Sequence, residues 1–219
     1  MGRRLLGICL VCCCGLFAAA ADTPDPLALG KSLPATFHPF NINVAAPPAD
    51  PVVEDPSAPK PRYKAPPYST KHKYHCLISE YDLDPTVMLL VRGLEASDTL
   101  KDLLQKLDAA IDRNRRVVRL RAFVVFIDED MKSLTTEDDR REANAKTLDR
   151  LVEDLKLKNV VVALAAKPDL AKFRLDDTHA LTAVLYNKLR IVAVHRLPAD
   201  STATKPILDD VASKLGAPK

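Results

Sequence analysis

The chain has five cysteines, and only one of them lies outside the N-terminal apolar stretch. Cys9, Cys12, Cys13 and Cys14 sit in that stretch; Cys76 sits in Tyr74-His75-Cys76-Leu77-Ile78-Ser79. A cysteine at position 79 would complete a C-x-x-C dithiol, the unit of disulfide exchange. Ser79 stands there and leaves one thiol. His75 adjoins it, and His72, Lys71 and Lys73 bring positive charge near, which favours a thiolate. Such a sulfur could be oxidised to a sulfenic acid or form a mixed disulfide with a partner protein or a small thiol. Without a resolving cysteine, the reading ranked first is a small hydrophobe at the edge of the core.

The remaining candidates are weaker. His72, His75 and Cys76 carry metal-ligating atoms, but a structural zinc site needs four ligands. Neighbours on an extended segment also point to opposite faces, so no metal or cofactor is expected. Glu129, Asp130, Glu137, Asp138 and Asp139 form an acidic run, read as a polar loop and helix start where acids complement the macrodipole. Arg113, Arg115, Arg116, Arg119 and Arg121 form a basic counterpart, read as a solvated strand edge paired with those acids. No Gly-rich phosphate loop, serine elbow or H-E-x-x-H is present, which removes support for the usual nucleotide-dependent and hydrolytic chemistries.

The N-terminus reads as an export signal over residues 1–21. Arg3 and Arg4 precede an apolar run from Leu5 to Phe17, and Ala18 to Ala21 supply a cleavage site. The run is too short for a stable membrane span. A lipid anchor on Cys12, Cys13 or Cys14 fits poorly, because Leu10-Val11 offers no small residue before them. Removing Arg3 and Arg4 leaves 30 basic residues against 29 acidic ones. That balance argues against nucleic acid as a partner. The expected location is exported, periplasmic or secreted, where one cysteine cannot form an internal disulfide.

The elements that must position Cys76 follow from pattern. Residues 22–67 form a Pro/Ala-rich lead-in, with a short edge strand predicted within 36–44 (Phe40, Ile42 and Val44 on one face) and a flexible insert over 46–67. Thr86 to Val91 is an apolar run typical of a strand buried on both faces. A helix capped by Ser97 or Asp98 follows, with Leu100, Leu103, Leu104, Leu107 and Ile111 at helical spacing. A second strand is predicted over Val117 to Ile127, a helix opening at Thr135 or Thr136, a third strand over Asn159 to Ala165, and a short helix over Pro168 to Phe173. Thr182 to Tyr186 and Arg190 to His195 make a hairpin, and a terminal helix carries Ile207, Val211 and Leu215. Strands alternating with helices imply a parallel core, and the hairpin makes the sheet mixed.

This order, with Leu181-Thr182-Ala183-Val184-Leu185-Tyr186-Asn187-Lys188-Leu189-Arg190-Ile191-Val192 as its most specific segment, resembles the thioredoxin-like superfamily in its peroxiredoxin-related branch, over residues 68–216. Leu29-Gly30-Lys31-Ser32-Leu33-Pro34 resembles the lead-in of exported members. The resemblance implies an α/β three-layer fold: a mixed central sheet, a parallel βαβ part, a C-terminal β-hairpin and a final helix. The candidate catalytic residues, Cys76 with His75 and His72, come from the residues themselves, and the resemblance implies that Leu181 and Thr182 would dock substrate. The departures are Ser79 for the second cysteine and Leu181 for the family's proline, usually cis, beside the active-site sulfurs. Lys73 and Ser69 stand where a peroxiredoxin pocket needs Thr and Pro. Cys76 also precedes the first buried strand, whereas the family's dithiol follows it. The expected function is an exported binding or structural domain without dithiol turnover. The alternative is a one-cysteine thiol oxidoreductase or thiol peroxidase using Cys76 and an external resolving thiol.

Overall fold

A computed structural model describes residues 24–46, 69–114, 117–199, 201 and 203–216. The expected signal and all of the Pro-rich insert except Ala46 lie outside these residues. The elements are β1 (Phe40–Asn41), β2 (Lys73–Tyr74), α1 (Leu77–Tyr81), β3 (Thr86–Arg92), α2 (Asp98–Asn114), β4 (Arg121–Asp128), α3 (Asp138–Leu155), β5 (Val160–Ala166), a 3-10 helix (Lys167–Phe173), β6 (Leu181–Asn187), β7 (Arg190–Leu197) and α4 (Lys205–Lys214).

Seven strands form one mixed sheet in the order β2-β1-β5-β4-β3-β6-β7. The apolar runs become its parallel centre, β3 with β4 and β4 with β5. β6 runs antiparallel to β3, and β7 antiparallel to β6. Strands laid down successively in one direction with right-handed crossovers put their helices on one face. Accordingly Leu103, Leu104 and Leu107 of α2, Leu148 of α3, and Ile207 and Val211 of α4 share one core cluster with Val87, Leu89, Val124 and Phe126. The opposite face carries Met88, Leu90, Phe123 and Val125. It is covered by α1, the 3-10 helix and the N-terminal segment, through Leu77, Ile78, Leu170, Phe173, Leu27 and Phe37.

Several boundaries differ from the sequence expectation. The edge strand within 36–44 is two residues long and interior to the sheet: Phe40 and Asn41 pair with Leu164 and Ala163 of β5 and with Tyr74 and Lys73 of β2. Its predicted single apolar face does not form, because Ile42 is buried while Val44 is exposed. Asn43 is buried instead, and its side chain bonds the Val160 carbonyl (3.0 Å) and the Val162 N–H (2.6 Å). The second strand starts at Arg121, not Val117, because the Val117 N–H closes a turn onto the Asn114 carbonyl. The long helix starts at Asp138, after a loop in which the Glu137 carboxylate accepts from the Lys132 N–H. Ser97 is the α2 cap, accepting from the Leu100 N–H at 3.2 Å. The hairpin turns on Lys188 and Leu189, both at positive φ as a type I′ turn demands.

Candidate functional site

Cys76 ends the extended segment that its neighbours suggested, with its own backbone extended at φ -86 and ψ 100. It is the N-cap of α1 and is 6% exposed. Its sulfur accepts from the Ser79 N–H at 3.4 Å and from Ser79 Oγ at 3.2 Å. Leu77, Ile78 and Tyr81 seat the helix on the second core face, so the capping sulfur is drawn in with them. Tyr186 packs in the same cluster. Burial pushes its phenol well up, the buried Cys76 adds to the rise, and the residue stays a neutral phenol.

Among the described residues the Cys76 sulfur hydrogen-bonds Ser79 and neither histidine. His75 pairs with Glu80 at 2.9 Å, within the α1 segment. His72 pairs with Asp149 of α3 at 2.9 Å and stacks on Phe40, which packs against the first core face. Cys76 belongs to the other face. Leu181, 8% exposed and paired with Val91, also lies on the first face, away from Cys76. Thr182 pairs with Leu90 and is buried. The peptide bond before Leu181 is trans. Among the described residues no three His, Cys, Asp or Glu side chains form a metal-ligating group.

Among the described residues the acidic and basic runs do not pair as blocks. Arg121 pairs with Asp84, Arg140 with Asp128 and Asp130, Arg141 with Asp138, and Glu129 with Arg92. Asp128, 3% exposed at the end of β4, accepts two bonds from Arg140 (2.6 and 2.7 Å), one from Asn144 (2.7 Å) and the N–H groups of Asp130 and Met131. Burial pushes this carboxyl up. The Arg140, Asn144 and backbone bonds outweigh that and hold it below its ordinary value.

The sequence reading missed a second feature at the carboxyl ends of the parallel strands. β5 must connect to β6, and β4 and β3 lie between them. The connection therefore spans three strand spacings, about 14 Å. It begins with the 3-10 helix, whose Leu170 and Phe173 pack on the second face. Beneath it is a cavity of about 150 Å³ with Ile127, Leu170 and Leu175 on its apolar wall and Arg92, Lys167 and Arg174 among its polar ones. Arg92, Glu129 and Lys167 each close or directly follow a parallel strand, which is the signal that could have found them. On the other side of the 3-10 helix an open groove of about 690 Å³ runs past Phe37, Tyr74, Leu134 and Lys172.

No protein-family model matches the chain, and no curated protein matches it in sequence. Solved structures do match. The structure of yeast mitochondrial 1-Cys peroxiredoxin superposes with a TM-score of 0.54 at 8% identity, covering 87% of this chain and 76% of that one. An uncharacterised conserved protein from Geobacillus kaustophilus gives 0.52 at 11% identity, over 88% and 86%. A putative thiol:disulfide interchange protein DsbE from Chlorobium tepidum gives 0.51 at 8% identity, over 87% and 99%. The chain has a thioredoxin-like fold, one shared with thiol-redox proteins. Among the described residues no helix is long and apolar enough to cross a membrane.

Proposed function

We propose that this is an exported thioredoxin-like domain protein that works as a binding or structural module, without dithiol turnover. The observation that carries the reading is the content of the loop after β3. In this fold the dithiol follows the first buried strand. Here that stretch is Gly93-Leu94-Glu95-Ala96-Ser97, leading into α2, and it holds no cysteine. Leu94, Ala96 and Leu181 pack on the same first face. Leu181 pairs with Val91 near the end of β3, and neither position 181 nor the loop after β3 holds a cysteine or a proline. Cys76 supports the reading from the other side of the sheet, since it is buried and its sulfur is engaged as the α1 N-cap by donors from Ser79.

One observation favours the one-cysteine alternative: the Ser79 N–H and Oγ both donate to the Cys76 sulfur, so polar groups converge on it although it is buried. In that reading the Cys76 thiol takes one oxygen from an organic hydroperoxide as the O–O bond breaks, giving a sulfenic acid and an alcohol. An external thiol then condenses with the sulfenic acid, releasing water and leaving a mixed disulfide. The yeast neighbour is described as resolved by glutathione and thioredoxin systems. Peptide-mapped alkylation of the native chain separates the two readings. Modification of Cys76 only after unfolding supports the binding module. Rapid native alkylation, with a glutathione adduct at Cys76 after peroxide, supports the alternative. Export is checked by the N-terminal residue of the processed chain, expected to be Asp22.

A further inference from the structure

We infer that the cavity under the β5–β6 connection is a binding site for a compact carboxylate with an apolar body the size of one six-membered ring. The inference does not rest on either reading of Cys76. In open α/β sheets the crevice outside the carboxyl ends of the strands is where ligands sit, because connections leaving in different directions part there. In this sheet the connection from β5 crosses β4 and β3 to reach β6, and the cavity lies beneath that crossing.

Size and lining define the ligand. A volume of about 150 Å³ is the size that holds a benzene-sized molecule, and here it is apolar on one wall and charged on the other. Ile127, Leu170 and Leu175 supply a wall suited to such a ring. The charged lining is unbalanced, with Arg92, Lys167 and Arg174 against Glu129 and Asp177. Both acids are already engaged. Arg92 donates to Glu129 and to Asp177 (2.5 Å), and Lys167 donates to Asp177 (3.2 Å). These donors hold both carboxyls below their ordinary values, so they stay ionised and occupied. Arg174 is the surplus cation. Among the described residues it makes no ion pair, and its Nη1 reaches only the Pro24 carbonyl, 3.5 Å away. Its backbone is held at φ 47 as the cap of the 3-10 helix, a conformation that a non-glycine residue adopts at a cost. A guanidinium presents a planar fork that fits a carboxylate with two parallel bonds. A ring against Leu170 with its carboxylate at Arg174 satisfies both walls.

Benzoate tests the site, with benzyl alcohol as the neutral probe and benzylammonium as the cationic one. Backbone amide shifts of Gly93, Leu170, Ala171 and Leu175 in the purified chain report binding. The expected result is saturable benzoate binding with Kd on the order of 1 mM, tighter than for either other probe. Arg174→Gln weakens benzoate about threefold to fivefold, as befits an exposed charge, and leaves benzyl alcohol unchanged. Asp177→Asn, which removes a competing negative charge, tightens it. Absence of shifts at these amides, tighter binding of benzylammonium, or an unchanged benzoate Kd in a folded Arg174→Gln chain overturns the inference. If that variant does not fold, an unchanged or weaker Kd in Asp177→Asn overturns it.

Discussion

Ser79→Cys turns the local geometry around Cys76 into a measurable bond. Ser79 Oγ lies 3.2 Å from Cys76 Sγ, and the intervening residues are fixed by the first turn of α1. A cysteine in the same rotamer places its sulfur closer still, because the carbon–sulfur bond is longer. A small rotation about χ1 then brings the sulfurs to the bonding distance of about 2.0 Å. Residue 79 is exposed and Cys76 is buried. Oxidised glutathione should therefore reach the introduced thiol first, and Cys76 should displace the glutathione to form the internal disulfide. For a closed loop of four residues the chain-entropy term is about 2 kcal/mol. In a domain of this size that raises the unfolding midpoint of the oxidised over the reduced variant by about 4–8 °C. The assay is intact and peptide mass, for loss of two hydrogens across residues 76–79, alongside thermal unfolding with and without reductant. A chain that stops at the glutathione adduct of the introduced thiol, with Cys76 still free, would show that α1 does not hold the two positions in capping register.

Other substitutions test the frame around the site. Asp128→Ala removes the carboxylate that ties the end of β4 to Arg140 and Asn144, and should cost about 2–3 kcal/mol in denaturant unfolding; Arg140 is partly exposed and keeps some solvation. Asp128 titrates below its unfolded value, so the stability it confers is fully present above about pH 4 and is lost as pH falls through the folded-state value; Asp128→Asn should flatten that acid limb. Asp108→Ala strips an acceptor shared by the N–H groups of Lys158, Asn159 and Val160 at the start of β5, and should cost about 1–2 kcal/mol in the same assay. Leu27→Ala should cost about 2–4 kcal/mol although Leu27 lies in the lead-in, because its side chain is buried in the second core cluster; a cost under about 0.5 kcal/mol would mean the segment is not integral.

What was legible in the sequence was whatever the chain encodes over one strand or one helix. The run from Val87 to Val91 announces a strand buried on both faces, and all five positions of the α2 stripe from Leu100 to Ile111 are buried. The helix α1 was not legible. Five residues are fewer than an isolated helix needs, and Leu77, Ile78 and Tyr81 show too little periodicity to reveal one. The placement of β1 was hidden for a different reason. Asn41 and Asn43 read as polar, yet both are buried, and Asn43 finds its partners 117 and 119 residues away. The cavity required the strand order, since Arg92, Glu129 and Lys167 become neighbours only when β3, β4 and β5 align their carboxyl ends.

The same topology accounts for the burial of Cys76. Both crossover helices and α4 occupy the first face of the sheet. The second face is as apolar, with Met88, Leu90, Phe123, Val125, Val161 and Val184, and no crossover helix is left to cover it. Its cover must come from segments outside the βαβ units: residues 27–37, α1 and the 3-10 helix. A capping residue in such a segment becomes part of the cover, and a sulfur can be buried there at lower cost than the hydroxyl or carboxylate that usually caps a helix. Cysteine at position 76 thus meets two demands at once, an acceptor for the Ser79 N–H and an apolar surface toward the core. Cys76→Ala and Cys76→Ser separate these demands. Alanine keeps the apolar contact and loses the cap; serine keeps the cap and buries a hydroxyl. Each should destabilise by about 1–2 kcal/mol. If serine were neutral and alanine costly, capping alone would explain the residue, and the apolar demand would have to be abandoned.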